Sequence, residues 1–393
     1  MRFSSFSVAT ASALALGASL LSTAAPIQKR AAAASDMLVL QFANVLEQFE
    51  TQFYTQALAK FVEQDFISAG YSNAQIAIQQ FQSIQIDESI HTTVLTQTIV
   101  DQGGQPLTSC QFNFDSILTD VTVMAANARV VENLGVAAYL GAARLVSDPV
   151  LLTAAASILT VEARHQTVLN ILNAGSAIPS GFDIPFTPSE VLAIASQFIS
   201  GCDLGVPANP TLSLTNTGTV APGTALTFGS PALNGTVSND SLFCQMLIGG
   251  APFAIVLPFN ACVVPDINGP VALFITSDQQ PLANNVRDQA ADKIIAGPTM
   301  AFIDTKPEVM GQLARGGAQS QASATLSSTT TQTITPAEAS ALISSASATA
   351  TASASAATGG AITVNNAAGG PSDFTGTVGP ITVQGWSAVP TSS

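Results

Sequence analysis

Only two histidines occur in the 393 residues of this chain, and each has a glutamate three positions before it. Glu88 precedes His91 in the segment ESIH, and Glu162 precedes His165 in the segment EARH. Residues three apart on a helix project from the same face, so each pair can offer a carboxylate and an imidazole to one point. Because such ligands suit iron or manganese, the spacing predicts two halves of a metal site.

A two-metal site in a four-helix bundle also takes one glutamate from each of the other two helices. The chain supplies Glu47 and Glu132 for these positions. Each is followed seven positions later by a tyrosine, Tyr54 or Tyr139, which is two helical turns along the same face. Glu50 is the rival of Glu47, which is favoured because only Glu47 has this tyrosine spacing.

The alternative is that both histidines are ordinary core residues of apolar helices. It would leave six ionisable side chains on inward-facing stripes without compensating charge, which is a costly burial. The metal site is therefore the favoured interpretation.

Apolar residues recur at helical spacing from about residue 35 to residue 201 and predict four long helices and a shorter fifth. The helices are expected at about residues 35–61, 73–101, 115–146, 148–175 and 187–201. Ser35 or Asp36 is the expected N-cap of the first helix. A capping box beginning at Thr187 starts the fifth. The bundle is assigned to residues 31–202.

The pattern changes after residue 202, where short β-branched or aromatic runs alternate with Gly, Pro and Asn. These runs predict an antiparallel β-sandwich-like domain over residues 203–305. Residues 306–393 are assigned to a Ser/Thr/Ala-rich low-complexity tail, expected to be disordered because it offers little apolar area to bury. The fold class is therefore a multidomain α+β chain.

The N-terminus has the three parts of a secretory signal, expected at residues 1–24. These are Arg2, an apolar run over residues 8–21 that is too short to span a membrane, and a small-residue site before Ala25. Residues 25–30 end in Lys29-Arg30, which fits either a short pro-segment or an ordinary charged pair in a linker. The sequence predicts a secreted protein without a membrane span.

Four cysteines in an oxidising compartment predict two disulfides. They are Cys110, Cys202, Cys244 and Cys262. Of the three pairings that four cysteines allow, the favoured one joins the last two, which share the β segment, and leaves the first two to each other. Secretion would also make Asn234 and Asn239 glycosylation sites, since both begin sequons.

The charge balance excludes one class of partner. The chain has 25 acidic residues against 11 Lys and Arg, a formal net charge of −14. Such a balance argues against nucleic acid or an anionic membrane surface as a partner.

LEQFETQFY with ESIH, followed by ENLGVAAY with EARH, resembles the ferritin-like di-iron carboxylate proteins. The similarity is greatest to secreted fungal members of the sexual-development and stress-response type, and its motifs span about residues 35–201. The resemblance implies a ferritin-like four-helix bundle with two irons per chain, or manganese. It implies Glu88 and Glu162 as bridging ligands. The terminal ligands would be Glu47, Glu132, His91 and His165.

The same resemblance implies chemistry with dioxygen or peroxide. Tyr54 and Tyr139 would donate hydrogen bonds to ligands or pass electrons; the alternative is that they only end packed stripes. Ferrous oxidation or peroxide detoxification ranks above an oxygenase reaction, because an extracellular protein has no reductase beside it. The alternative function is a non-enzymatic, secreted or cell-wall-associated structural protein whose metal site is vestigial or structural. The oligomeric state is left open.

Overall fold

The computed structural model describes residues 32–316, 376–378 and 381–383. The predicted signal peptide (1–24) and pro-segment (25–30), and most of the predicted tail, lie outside the described residues. Residues 32–316 fall within one compact unit, and the two short C-terminal segments fall within a second.

The predicted four long helices and shorter fifth helix are present, with one short helix in addition. The helices of this region are α1 (Ala34–Lys60), α2 (Glu63–Ser68), α3 (Ala74–Asp101), α4 (Val121–Ala142), α5 (Pro149–Leu172) and α6 (Pro188–Ala195). The extra helix is α2, which follows directly on α1.

Side-chain caps explain where most of these helices begin. Asn73 accepts a hydrogen bond from the backbone N–H of Gln75 at the start of α3, and Asp120 accepts one from Val123 at the start of α4. Asp148 caps α5 in the same way, with Pro149 in its first turn. Each cap satisfies backbone donors that have no partner inside the helix.

Several predicted helix boundaries are corrected. Helix α1 has Ala33 as its N-cap, and Asp36 is instead buried, accepting hydrogen bonds from the backbone N–H and hydroxyl of Ser147. Helix α4 begins at Val121 and not near residue 115, because Asp120 is the residue that caps it. The capping box of Thr187 starts α6 as predicted.

Helix α6 ends before the predicted residue 201, because the chain then forms a strand. Strand β1 (Gln111–Phe112) pairs antiparallel with β2 (Ile199–Ser200). The disulfide Cys110–Cys202 lies directly beside this pair. The second disulfide joins Cys244 to Cys262, so both bridges have the favoured pairing.

The bundle has two apolar clusters at different levels along the helices. An aromatic cluster surrounds Phe53, Phe81 and Phe114. A much smaller cluster contains Leu40, Leu95, Ile99 and Ile158. On both α1 and α3, the predicted metal ligands occupy positions between these two clusters.

A four-stranded antiparallel sheet follows the bundle. Its strands are β5 (Phe243–Ile248), β6 (Ile255–Pro258), β7 (Gly269–Thr276) and β8 (Ile294–Ile303), in the order β6-β5-β7-β8. Every residue of β7 is buried, so both faces of the sheet are covered. One face packs on residues of the bundle and α6 through Leu247 and Phe274.

The second layer of the predicted sandwich is reduced. It contains β3 (Ser213–Leu214) and β4 (Phe228–Gly229), whose neighbours Leu212 and Leu226 pack on the other face of the four-stranded sheet. The chain between them is interrupted by glycines with positive φ such as Gly218 and Gly223. These break the backbone into turns and keep the strands short. The sequon residues Asn234 and Asn239 lie exposed beyond this layer.

The sheet is tied to the bundle by an ion pair. Arg129 on α4 donates two hydrogen bonds, of 2.7 and 2.8 Å, to the carboxylate of Asp304, which follows β8. The same guanidinium lies 4.1 Å from the ring centroid of Phe302. The planar fork of arginine suits both contacts.

The ordered chain continues into the segment assigned to the tail. Helix α7 (Val309–Arg315) follows the sheet, and Gly311 packs against the backbone at the end of α5, where an added Cβ would lie 2.9 Å from Ala174 Cα. Glu308 accepts a hydrogen bond from the backbone N–H of Ala177. In the second unit, β9 (Gly376–Val378) pairs antiparallel with β10 (Ile381–Val383). No helix among the described residues is both long and apolar enough to span a membrane.

Candidate metal centre

The six predicted ligands converge in the middle of the bundle. Two groups of four side chains each offer ligand atoms that all lie within 4.8 Å of one another. The first group is Glu47, Glu88, His91 and Glu162, and the second is Glu88, Glu132, Glu162 and His165. Glu88 and Glu162 belong to both groups, and all six residues are buried. The cluster therefore consists of two overlapping groups of candidate ligands that share two carboxylates.

His91 faces the first group with its Nδ1 atom. This atom lies 3.2 Å from Glu47 Oε2, 3.2 Å from Glu88 Oε2 and 3.5 Å from Glu162 Oε1. These residues come from α1, α3 and α5, so three helices position this half of the cluster.

His165 faces the second group in the same way. Its Nδ1 lies 2.9 Å from Glu88 Oε1 and 3.1 Å from Glu132 Oε2. The two imidazole centroids are 6.5 Å apart. The second half is thus supplied by α3, α4 and α5, and the halves are related in the way that their repeated motifs predict.

Both predicted tyrosines donate hydrogen bonds to carboxylates of the cluster. The Tyr54 hydroxyl on α1 donates to Glu132 Oε1 on α4 over 2.6 Å, and the Tyr139 hydroxyl on α4 donates to Glu47 Oε1 on α1. Each tyrosine therefore reaches the glutamate of the other helix and not the one seven residues before it. Burial, and then the neighbouring glutamate charge, raises the pKa of both tyrosines, so they remain protonated donors.

Asp87 contacts the outer nitrogen of one histidine. Its Oδ2 lies 3.1 Å from His165 Nε2, and its side chain is 45% exposed. A carboxylate in this position fixes the imidazole tautomer and leaves Nδ1 free to bind a metal. Val161 occupies the matching position before Glu162, so the two halves of the cluster differ here.

Burial and mutual repulsion raise the pKa of three glutamates in and beside the cluster. Burial, followed by the charge of Glu132, raises the pKa of Glu88 to about 8. Burial, with the other glutamates after it, also raises the pKa of Glu50 and of Glu162 well above the ordinary value. Without a cation, this site therefore favours carboxyl groups that keep their protons.

For the histidines, burial lowers the pKa, whereas the neighbouring carboxylates raise it. Burial alone lowers the pKa of His91, but the carboxylates around it, Glu162 first, outweigh this and raise it to about 12. His165 is likewise raised to about 11, mainly by Glu132. In the metal-free cluster, the imidazolium ions thus supply part of the positive charge that the carboxylates require.

Buried carboxylate oxygens that lack a hydrogen-bond partner indicate whether metal ions fit the cluster. Glu88 Oε1 and both carboxylate oxygens of Glu162 are buried and have no hydrogen-bond partner among the described residues. Although Glu88 Oε1 lies near His165 Nδ1, the geometry is not that of a hydrogen bond. Buried carboxyl oxygens are normally hydrogen-bonded or bound to metal. They belong to the two shared residues, which is where a pair of cations would need free lone pairs.

Gly135 on α4 adjoins the cluster and was not among the residues predicted from the sequence. A Cβ atom at this position would lie 2.6 Å from Glu162 Oε2 and 3.0 Å from Glu50 Oε1. Glycine inside a helix costs about 1 kcal/mol relative to alanine, so Gly135 in ENLGVAAY was the available signal of a close approach. Glu50 is buried beside the cluster but lies outside both groups of four.

Comparison with known proteins agrees with this geometry. Residues 35–174 match the family model of the ferritin-like domain. No curated protein matches the chain significantly. Residues 35–174 thus form a ferritin-like helical region, and its buried carboxylates and histidines form a cluster that could hold metal.

Proposed function

We propose that the cluster binds two divalent metal ions, iron or manganese, and that the protein consumes ferrous iron or peroxide outside the cell. The observation that carries the proposal is the composition of the cluster. Four glutamates supply four negative charges, which two divalent ions neutralise, and the two imidazoles add neutral ligands. Carboxylate and imidazole ligands without thiolates favour iron or manganese over structural zinc.

The ligands divide into shared and terminal groups. Glu88 and Glu162 would bridge the ions, because each belongs to both groups of four. Glu47 with His91 would complete one site, and Glu132 with His165 the other. A metal pair held there would supply redox-active centres that exchange electrons with dioxygen or peroxide.

The surrounding residues hold the ligands in place. The hydroxyls of Tyr54 and Tyr139 each donate to the outer oxygen of a terminal glutamate, which restricts the rotation of that carboxylate. Asp87 accepts from His165 and fixes its ring. Such partners commonly change metal affinity or activity about 10–100-fold when removed. Electron transfer through the tyrosines stays a prediction.

The compartment supports the choice of reaction. Two disulfides and the predicted signal peptide are typical of an extracellular protein. A reaction that needs no dedicated electron donor suits that setting better than an oxygenase cycle. We therefore assign ferrous oxidation or peroxide removal to the protein, in the developmental or stress setting that the resemblance implies.

A structural role is the second candidate. The contact that favours it is the ion pair of Arg129 with Asp304, which, with shared packing between bundle and sheet, makes the ferritin-like region part of one larger core. In that role, a secreted or wall-associated protein would use the metal only to neutralise the buried carboxylates.

Turnover by the purified chain tests the redox proposal. We expect the wild-type protein to consume ferrous iron or peroxide, and the Glu88→Gln, Glu162→Gln double variant to fall to the uncatalysed rate, because both shared ligands are lost. Glu63→Gln, at an exposed site on α2, is the matched control and should keep the wild-type rate. Equal rates for wild type and double variant with both substrates would contradict the redox proposal and favour the structural role.

A further inference from the structure

A cavity of about 680 Å³ lies between the long helices on the far side of the cluster from the aromatic core. Its inner end is formed by Glu50, Gly135 and Tyr139, which adjoin the metal ligands. It reaches the surface at Val94 and Val150, whose side chains are 49% and 75% exposed. The volume falls within the range of about 300–1,000 Å³ that is common for small-molecule sites.

Small side chains create this space. Alanines line the cavity on three helices, among them Ala43 on α1, Ala142 on α4 and Ala155 on α5. Larger apolar residues at these positions would fill it and extend the small cluster around Leu40 and Ile158. Because the walls are mainly apolar, an apolar occupant would be stabilised there by removing that surface from water.

The length of the cavity limits the shape of the occupant. Asp36 at the outer end and Glu50 at the inner end both lie on α1, and fourteen residues of helix span about 21 Å. The walls between them are mainly apolar, with Leu40, Leu95 and Ile158 contributing. A cavity of this length can accommodate an extended alkyl chain.

The charges of the lining residues limit which headgroup the occupant can carry. The carboxylates of Asp36 and Asp148 line the outer end of the cavity. None of the lining residues, all of which belong to the described bundle, is lysine, arginine or histidine. An anionic headgroup at this end would therefore meet electrostatic repulsion.

We propose that this cavity binds an uncharged long-chain alkyl compound, such as a fatty alcohol, with one end beside Tyr139 and the metal cluster. Binding depends on apolar burial and not on bound metal, so it is independent of the proposed redox function.

Calorimetric titration of the metal-free full chain with straight-chain alcohols tests the proposal. From hexanol to dodecanol, each added methylene should strengthen binding by about fourfold until the cavity is filled. Dodecanoate, tested at a pH at which it is ionised, should bind at least about tenfold more weakly than dodecanol. No saturable binding of dodecanol, or binding of dodecanoate as tight as that of the alcohol, would overturn the proposal.

Variants locate the binding site. Ala155→Phe places a ring in the cavity and should weaken dodecanol binding at least about tenfold. Ala156→Phe is the matched control, because Ala156 is exposed on the same helix and does not line the cavity. Ala43→Phe, on the opposite wall, repeats the test if Ala155→Phe does not fold. Equal affinity of a folded cavity variant and the control would place binding elsewhere and overturn the assignment.

Discussion

Replacing His91 and His165 together by alanine is expected to abolish stoichiometric metal binding while leaving the chain folded. Each group of four ligands loses its only imidazole, and the carboxylates that remain can take up protons, as the raised pKa of Glu88 and of Glu162 indicates. Metal content after reconstitution and dialysis, together with the helical circular dichroism signal, provides the measurement. Undiminished binding in this double variant would place the metal elsewhere in the molecule.

A matched pair of substitutions on α1 refines this test. Glu47 belongs to the group around His91, whereas Glu50 is equally buried but lies in neither group. Glu47→Ala should therefore weaken metal binding more than Glu50→Ala. The reverse order would show that Glu50 is the ligand from α1.

The second large effect concerns pH. The metal-free chain is expected to lose stability as the pH rises above about 5. Glu88 has an ordinary pKa of 4.5 when unfolded and about 8 when folded, so between these values the folded state binds the extra proton. Raising the pH then favours unfolding. For each proton that the folded chain binds in excess of the unfolded chain, the free energy of unfolding falls by about 1.4 kcal/mol per unit rise in pH.

The other buried groups also make the metal-free chain less stable as the pH rises. The pKa of Glu50 and of Glu162 is also raised in the folded state. The histidines have folded pKa values of about 12 and 11 against an ordinary 6.5, so above that value they also keep protons that the unfolded chain releases. None of these groups makes the metal-free chain more stable as the pH rises.

Thermal unfolding at a series of pH values, with and without metal, measures this effect. The metal-free melting temperature should fall with rising pH, whereas the metal-loaded chain should not show the fall, since cations replace the protons. Glu88→Gln should flatten the metal-free curve because it removes one titrating group. Parallel curves for the two forms would contradict the proposed role of the cluster.

Local sequence patterns were sufficient to predict the four long helices and the six residues that converge in the candidate site. The Glu-x-x-His spacing lies within a single helix turn, so its geometry is nearly independent of the rest of the fold. The tyrosines show the limit of this reasoning. Their seven-residue spacing identified them, but their hydrogen bonds to the opposite glutamates depend on how α1 packs against α4.

Other features depend on contacts between distant segments. Asp36 has the residue type of an N-cap, yet it is buried because Ser147, far along the chain, donates two hydrogen bonds to it. Gly135 reveals its role only when Glu162 approaches from another helix. Helix α7 has only seven residues and packs through Gly311 on the end of α5, a contact that the local sequence does not reveal.

Anaerobic titration of the metal-free wild-type chain with ferrous iron, and separately with manganous ion, tests the central claim most directly. Two overlapping ligand groups predict saturation at two metal ions per chain for at least one of these metals. A fully folded chain that binds neither metal, or that saturates at one ion, would contradict the two-metal centre.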